Sequence, residues 1–216
     1  MIVTIDGPAG AGKSSAARAL AQRLGFRFLD TGAMYRAVAW AAVDRQVDWH
    51  QPDALAELTS DVSIDLTDDN RVLVDGRDIT QEIRTSEITL ASRYAADNSE
   101  VRARLVELQR QEAQGGNIVT EGRDQGTVVF PDADCKIFLT ATAEARASRR
   151  YDDLLASGES ITFEQVLADQ QQRDLRDESR PVGGLKKADD AIELWSDELT
   201  ADQVVDRLEE IVRACS

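Results

Sequence analysis

Short apolar runs alternate with helix-forming stretches along most of the chain. The runs typical of buried strands are residues 2–5, 26–29, 118–120, 136–141 and 191–195. The helical stretches are residues 15–24, 33–43, 53–60, 85–96, 99–113, 143–156, 162–179 and 200–214. This alternation is typical of parallel sheets, because two parallel strands must be joined by a crossover, which is usually a helix. We therefore predict an α/β fold of three layers, with a parallel central sheet between helices.

Residues 62–80 break this pattern. Apolar and polar side chains alternate at 62–66 and again at 71–75, on either side of the sequence Asp68, Asp69, Asn70. A period of two predicts half-buried strands, and the short polar sequence between them predicts a turn. We predict a small antiparallel β insertion at 62–80 that interrupts the α/β pattern.

A glycine-rich sequence joins the first strand to the first helix. It fits the spacing G-x-x-x-x-G-K-[ST] of a phosphate-binding loop. Glycines allow backbone N–H groups to converge on an anion, and the N-terminus of the next helix adds partial positive charge. We expect Lys13 to reach the β- and γ-phosphates of a nucleoside triphosphate and the Ser14 hydroxyl to contact Mg²⁺. The predicted ATP-binding residues are Gly7, Pro8, Ala9, Gly10, Ala11, Gly12, Lys13, Ser14 and Ser15.

Composition narrows the classes of partner. The chain has 216 residues and a formal net charge of −15, which argues against broad nucleic-acid binding. No apolar run approaches the about 18 residues of a membrane span, and the start of the chain shows no signal peptide, so we expect a cytoplasmic protein. Cys135 and Cys215 are too few and too isolated to suggest a zinc site or a disulfide framework. Because the sequence shows no exposed apolar stripe that would form a subunit interface, we expect a monomer.

Two further segments carry charged side chains where a phosphate-transferring site would need them. Arg123 and Asp124 follow the strand at 118–120, and ligands of open parallel sheets bind beyond the carboxyl ends of strands. Arg173, Asp177 and Arg180 are spaced i, i+4, i+7 and share one face of the predicted helix, so that Asp177 could brace both arginines. The alternatives are an ion pair at a turn for the first segment and solvated surface salt bridges for the second.

Proteins with this loop include switches, motors and small-molecule kinases. The chain lacks the Asn-Lys-x-Asp and Asp-x-x-Gly sequences of a GTPase, and it lacks the apolar run ending in Asp-Glu of a motor. A kinase needs arginines for an acceptor phosphate and a mobile segment that carries further arginines, and this chain offers both. A small-molecule kinase is the class that the sequence favours.

Three segments of the chain, together with the arginines from 173 to 180, closely resemble the corresponding segments of bacterial cytidylate kinases. The three are the sequence from Ile5 to Ser14, the sequence from Leu29 to Arg36 and the sequence from Glu121 to Asp132. The resemblance implies a core at about 1–29, 114–146 and 166–216, a monophosphate-binding subdomain at about 30–113 that includes the insertion, and a lid at about 147–165. It also implies ATP and CMP or dCMP as substrates and Mg²⁺ as the metal.

The resemblance also implies roles for single residues. Arg36 and Arg123 match binders of the acceptor phosphate, Arg102 and Asp124 match contacts to cytosine, and Asp177 matches a residue near the sugar. The implied CMP-binding residues are Thr31, Arg36, Ser92, Arg102, Arg123, Asp124 and Asp177. The implied catalytic residues are Lys13, Arg173, Asp177 and Arg180, of which Arg173 and Arg180 bridge the two substrates.

Two alternatives stay open from the sequence. One is a kinase of the same fold for another acceptor, such as UMP, AMP, shikimate or dephospho-coenzyme A. The other is a regulatory protein that binds nucleotide without turnover. The Gly122-Arg123-Asp124 sequence and the insertion argue against the first, and the intact Lys13 argues against the second.

Overall fold

The computed structural model describes residues 1–67, 69 and 71–215. Asp68 and Asn70 of the predicted hairpin turn lie outside the described residues. The elements are β1 (Ile2–Asp6), α1 (Lys13–Leu24), β2 (Arg27–Asp30), α2 (Thr31–Asp44), α3 (Pro52–Asp61), β3 (Ile64–Leu66), β4 (Val72–Val74), β5 (Arg77–Asp78), α4 (Ser86–Asp97), α5 (Ser99–Glu112), β6 (Ile118–Gly122), β7 (Cys135–Thr140), α6 (Ala143–Ala156), α7 (Phe163–Ser179), β8 (Ile192–Trp195) and α8 (Ala201–Ala214). The chain divides into two compact units, Met1–Phe28 with Gly116–Ser216, and Leu29–Gly115.

The central sheet has five strands in the order β2-β6-β1-β7-β8. Strand β1 lies in the middle and pairs in parallel with β6 and β7, so that Asp6 lies beside Gly122 on one side and Phe138 on the other. Adjacent strands are separated in sequence by segments that contain helices, as parallel pairing requires. The prediction of a parallel central sheet is confirmed.

Strand β1 is buried on both faces of the sheet. Val3 and Ile5 point to opposite faces from Thr4, and all three are fully buried. Leu20 of α1 and Leu208 of α8 are also fully buried and belong to the same core. A strand that buries side chains on both faces needs helices on each side of the sheet, and this is why β1 lies at the centre of the fold.

The second unit is built around α2, which is alanine-rich and buried along most of its length. Small side chains allow α4 to pack closely against α2. The antiparallel sheet β3-β4-β5 lies in this unit, with Ile64 opposite Val74 and Val74 opposite Arg77. Asp75 and Gly76 have φ of 50° and 77°, so the turn between β4 and β5 uses a conformation that glycine adopts without strain. The predicted antiparallel insertion is confirmed.

Helix α2 begins two residues earlier than predicted. The Asp30 side chain accepts a hydrogen bond from the Ala33 N–H at 2.9 Å, so Asp30 is the N-cap and Thr31 is the first helical residue. Two short turns also escaped prediction, a 3₁₀ turn at Glu82–Arg84 and a single π-helical turn at Gln125–Val129. None of the helices formed by the described residues is both long enough and apolar enough to cross a bilayer.

Candidate active site

The glycine-rich loop leaves β1 at the carboxyl edge of the sheet and enters α1. Gly7 has a φ of 152°, and a Cβ atom there would lie 1.9 Å from the carbonyl oxygen of Leu139 in β7. Gly12 is the N-cap of α1 with a φ of 84°. Any other residue at Gly7 would collide with backbone, so the loop can follow this path only with glycine.

Three polar side chains hold the loop from α6 and α7. Arg146 Nη1 and Gln170 Nε2 each donate a hydrogen bond to the carbonyl oxygen of Ala9, both at 2.8 Å. Asp174 forms an ion pair with Arg146 at 2.7 Å, and Arg146 is only 5% exposed. Arg146 is the last residue of the predicted core before the lid, and its guanidinium lies against the loop and fixes the backbone at Ala9.

Lys13 is buried, and its Nζ donates a hydrogen bond to the Pro8 carbonyl oxygen at 2.8 Å. Burial and, after it, the nearby charge of Arg123 lower the pKa of Lys13 to about 7, while Glu121 and Asp6 oppose the shift. The lysine is thus held across the loop in an environment that disfavours its own charge. An anion at this position would restore the charge, because opposite charges raise the pKa of a lysine.

Ser14 and Glu121 place two oxygen atoms next to each other. The Ser14 Oγ donates a hydrogen bond to Glu121 Oε1 at 2.7 Å. Glu121 lies near the carboxyl end of β6 and pairs with Ile5 of β1, which brings a carboxylate from a neighbouring strand to the first turn of α1. The chain has no apolar run that ends in Asp-Glu, as a motor has, yet one carboxylate lies at this end of β6.

Asp6 holds the segment that follows β6. Its carboxylate accepts hydrogen bonds from the backbone N–H groups of Gln125 and Gly126, at 2.9 and 2.7 Å. Burial raises the pKa of Asp6 to about 6, although these two hydrogen bonds lower it. The π-helical turn is therefore tied to the central strand, and this fixes the backbone directly after Arg123 and Asp124.

Asp177 joins two arginines from different parts of the chain. Arg123 Nε donates to Asp177 Oδ2 at 2.8 Å, and Arg180 Nη2 donates to Asp177 Oδ1 at 3.2 Å. The prediction that Asp177 braces Arg173 and Arg180 is corrected here, since the second bonded guanidinium is that of Arg123. Arg180 lies just beyond the end of α7 rather than on its face.

Three arginines surround Asp177 and lower its pKa. Burial would raise the pKa of Asp177, but Arg123, and then Arg180 and Arg173, hold it below its usual value. Arg173 is exposed and has no hydrogen bond or ion pair with any residue that the structure describes. The cluster contains three guanidinium groups and one carboxylate, so an excess of positive charge is available to an anion.

Asp124 directly follows Arg123 and precedes the π-helical turn. It is 4% exposed, and its carbonyl oxygen accepts hydrogen bonds from the backbone N–H groups of Val128 and Val129. The backbone of Asp124 is therefore fixed by the turn that Asp6 holds. A buried carboxylate on a rigid turn is suited to accept a hydrogen bond from a ligand.

Four of the predicted CMP-binding residues belong to the second unit. Thr31 is buried at the start of α2, and Arg36 lies one turn later, with its Nη2 3.4 Å from Asp30 Oδ1. Gly32 leaves room for Arg36, because a Cβ there would lie 3.1 Å from its Nη1.

Arg102 and Ser92 lie on other helices of the same unit. Arg102 is buried on α5, with its guanidinium 5.7 Å from the centre of the Tyr35 ring and its Nη1 bonded to the Ala96 carbonyl oxygen. Ser92 is half-buried on α4, and its hydroxyl donates to the carbonyl oxygen of Thr89 at 2.8 Å. The orientation of the Arg102 guanidinium is thus fixed by two contacts, one with an aromatic ring and one with a backbone carbonyl oxygen.

Sequence reasoning missed several residues of the site. Asp6 and Glu121 each end an apolar strand at the carboxyl edge, and a carboxylate in that position is a signal that could have found them. Arg146, Gln170 and Asp174 give no such signal, because polar side chains on a polar helix are usually solvated. Their role depends on which face of α6 and α7 packs against the loop.

The fold resembles that of solved structures with little sequence similarity. An uncharacterised protein from Eubacterium ventriosum has a TM-score of 0.55 at 12% identity, covering 99% of both chains. A protein from Thermus thermophilus has a TM-score of 0.50 at 20% identity, covering 99% of this chain and 96% of the other. At these identities the likeness shows the fold alone.

Sequence comparison is more specific. The family model described as cytidylate kinase matches residues 3–214. The cytidylate kinase of Rhodopirellula baltica is 51% identical and covers 100% of this chain and 93% of its own length. That of a Geobacter species is 46% identical over 99% and 93%, and cytidylate kinase 1 of Haemophilus influenzae is 44% identical over 96% and 91%. With the phosphate loop, the arginine cluster and relatives along its whole length, this chain belongs to the cytidylate kinase family.

Proposed function

We propose that this chain transfers the γ-phosphoryl group of ATP to CMP and dCMP, with CDP or dCDP and ADP as products. Membership of the family supports the reaction. The observation that carries the proposal is the position of Arg123, which is bonded to Asp177 and lies close enough to Lys13 for its charge to lower the lysine pKa. One charged cluster therefore connects the phosphate loop to the arginines of α7, as transfer between two phosphate groups requires.

The chemical step needs no protein base. A phosphate oxygen of the acceptor attacks the γ-phosphorus in line, a new P–O bond forms, and the bond from the γ-phosphorus to the bridging oxygen breaks and leaves ADP. Because the acceptor is already a dianion near neutral pH, the protein supplies position and positive charge rather than proton transfer. Lys13, Arg173 and Arg180 neutralise the charge of the transferred group, and Asp177 aims Arg180.

Recognition of the acceptor is proposed to rest on the residues that match the CMP-binding residues of the family. Arg36 and Arg123 bind its phosphate, Thr31 and Asp177 contact the nucleoside, and Arg102 faces the base. Asp124 suits cytosine physically, because an ionised carboxylate accepts a hydrogen bond from the N4 amine, whereas uracil has a carbonyl oxygen there. Ser92 is proposed as a further contact to the base.

Mg²⁺ is proposed as the metal that accompanies ATP. The Ser14 hydroxyl and the Glu121 carboxylate, 2.7 Å apart, fit it, because Mg²⁺ prefers oxygen donors and is held in kinases by one or two protein groups together with substrate phosphates. When bound, the ion would neutralise charge on the phosphate groups. Glu121 would act on the ion directly or through the water molecules around it.

We expect Glu121→Gln to raise the Mg²⁺ concentration at half-maximal rate by about 10-fold or more, because loss of a carboxylate beside a metal site typically weakens metal affinity 10- to 100-fold. The measurement is ADP production against free Mg²⁺ at saturating ATP and CMP. Glu193→Gln on β8 is the matched control, since it removes an exposed carboxylate from the same sheet. An unchanged Mg²⁺ dependence in Glu121→Gln would exclude this carboxylate from the metal site.

The reaction is tested by measuring ADP production from ATP and Mg²⁺ with CMP, dCMP, UMP, AMP and shikimate in parallel. We expect fast turnover with CMP and dCMP, weak turnover with UMP and none with the others. Turnover with another acceptor alone would agree with the assignment of the phosphate loop but contradict the assignment of the CMP-binding residues. Bound ATP without any acceptor-dependent turnover would favour the regulatory alternative.

Asp124→Asn is expected to lower kcat/KM for CMP by about 10- to 100-fold, the cost of one hydrogen bond to a charged group. The ratio of UMP to CMP turnover should rise, because the asparagine amide can donate to the O4 of uracil. Asp132→Asn is the matched control, an exposed aspartate of the same segment. An unchanged ratio of the two rates would show that Asp124 does not read the base.

The remaining expectations are part of the same proposal. A lid at about 147–165 corresponds to most of α6, the loop 157–162 and the first turn of α7. A monomeric state and a cytoplasmic location stay predictions from the sequence, and sedimentation of the purified protein would test the first.

A further inference from the structure

The two cysteines of the chain are neighbours in space. Cys135 is the first residue of β7 and is 2% exposed, while Cys215 is the C-cap of α8 and is partly buried. The Cys215 thiol points at the Cys135 sulfur, and the two Sγ atoms are 2.9 Å apart although 80 positions separate the residues. Both residues belong to the first unit, so the contact is made within one compact body.

The secondary structure around the pair fixes this approach. Cys135 pairs with Val3 of β1 in the middle of the sheet, and the N–H of Cys215 bonds to the carbonyl oxygens of Ile211 and Val212. Val212 is buried in the same core as Cys135. The end of α8 is thus anchored against the first residue of β7, and neither thiol has to leave its element to reach the other.

The pair lies far from the phosphate loop. Leu139, whose carbonyl oxygen limits the space at Gly7, is near the carboxyl end of β7, and Cys135 begins the same strand. Four residues of a strand span about 13 Å, so the thiols lie toward the opposite edge of the sheet from the nucleotide site. Neither cysteine has a part in the proposed phosphoryl transfer.

We propose that Cys135 and Cys215 are a modification site, a dithiol that a low-molecular-weight disulfide such as oxidised glutathione converts into an intramolecular disulfide. The sulfurs need to approach only from 2.9 Å to the about 2.0 Å of a disulfide. The sequence predicts a cytoplasmic protein, and a disulfide in a cytoplasmic protein is typically a reversible, redox-sensing modification rather than a structural framework.

The exchange runs in two balanced steps. The thiolate of Cys215 attacks one sulfur of the reagent disulfide, and one reagent thiolate leaves. Cys135 then loses its proton and attacks the Cys215 sulfur, which expels the second reagent thiolate. The protein loses two protons and two electrons, and the reagent disulfide takes them up and is reduced to two thiols.

The order of the two steps follows from burial. Cys215 is the sulfur that a reagent can reach, because Cys135 is enclosed by the core. Burial also raises the pKa of the Cys135 thiol, with the neighbouring Cys215 adding to the shift, and this makes Cys135 a poor first nucleophile. Cys135 attacks only in the second step, when Cys215 beside it already carries the mixed disulfide.

Formation of the disulfide should stabilise the first unit. The crosslink would close a loop of about 80 residues, and loops of that length restrict the unfolded chain strongly. We expect the midpoint of thermal unfolding to rise by about 5–15 °C on oxidation and to return on addition of dithiothreitol. Turnover with CMP should change less than about 2-fold, because the crosslink lies away from the site.

The test uses the full chain, reduced and then incubated with oxidised glutathione. We expect the intact mass to fall by two hydrogen atoms, thiol titration in denaturant to find no thiol, and a non-reducing gel to show a single monomeric band. The Cys215→Ser variant should keep one unmodified thiol and show no rise in the unfolding midpoint. Cys215 is partly exposed at a helix end, so this variant is expected to fold.

Three results would overturn the proposal. They are two thiols that stay reduced under the oxidant, a disulfide that joins two chains, and a Cys215→Ser variant with the same rise in unfolding midpoint as the wild type. Peptide mapping of the oxidised wild type gives an independent answer, since it must find the segments of Cys135 and Cys215 linked to each other.

Discussion

Lys13→Met is expected to lower turnover with CMP by at least about 10²–10³-fold, the usual cost of removing one group that stabilises charge in a transition state. The lysine lies across the phosphate loop, bonded to the Pro8 carbonyl oxygen, in the position from which it would reach the transferred phosphate. Turnover is measured at saturating ATP, Mg²⁺ and CMP. Lys187→Met, at an exposed lysine of the same unit, is the matched control.

The same variant is expected to be more stable than the wild type at pH 7. Burial lowers the pKa of Lys13 from 10.5 to about 7, so the folded state disfavours the charged lysine that the unfolded chain accepts. Removing this charge should raise the midpoint of thermal unfolding by several degrees, about 3–8 °C. Loss of activity together with a gain in stability would show that Lys13 serves the reaction rather than the stability of the fold.

The destabilising effect of the Lys13 charge should depend on pH. Between pH 7 and 10.5 the unfolded chain binds a proton at Lys13 that the folded chain has lost, so the free energy of unfolding of the wild type rises with pH in this window. The difference between Lys13→Met and the wild type should therefore shrink from pH 7 to pH 10. A difference that stays constant would contradict the lowered pKa.

Arg180→Ala is expected to lower turnover by about 10³-fold, in the range seen when an arginine is removed from a phosphoryl-transfer site. The side chain is 8% exposed and is aimed by its hydrogen bond to Asp177, so it is held in place before the substrates bind. A preorganised charge stabilises the transition state without reorganisation during the reaction.

Stability should change little in this variant, because Asp177 keeps its hydrogen bond to Arg123. Arg176→Ala is the matched control, since it removes a guanidinium from the last turn of the same helix. The measurements are kcat with CMP and the midpoint of thermal unfolding for both variants. Equal losses of turnover in Arg176→Ala and Arg180→Ala, or no loss in Arg180→Ala, would remove Arg180 from the mechanism.

Much of the fold could be predicted from local pattern. The alternation of apolar strands and helices predicted the parallel sheet, and the period of two at 62–66 and 71–75 predicted the antiparallel insertion. The glycine-rich loop was predictable because its geometry depends on consecutive residues, of which Gly7 and Gly12 have backbone angles that other residues rarely adopt.

The partners of the charged residues could not be predicted in the same way. Helical spacing placed Arg173, Asp177 and Arg180 together, but the helix ends at Ser179, and Asp177 bonds to Arg123, which directly follows β6. Likewise, the sequence predicted no disulfide framework from two isolated cysteines, and only the packing of α8 against β7 brings their sulfurs into contact.

Local pattern along the chain was enough to predict the succession of strands and helices, the phosphate loop and the family, because each of these follows from residues within a few positions of one another. Tertiary structure alone decided that Glu121 meets Ser14, that Arg146 supports Ala9 and that Cys215 meets Cys135. The physical reason is that local spacing sets the direction of a side chain on its own element, whereas its partner depends on how elements distant in sequence pack and in which register.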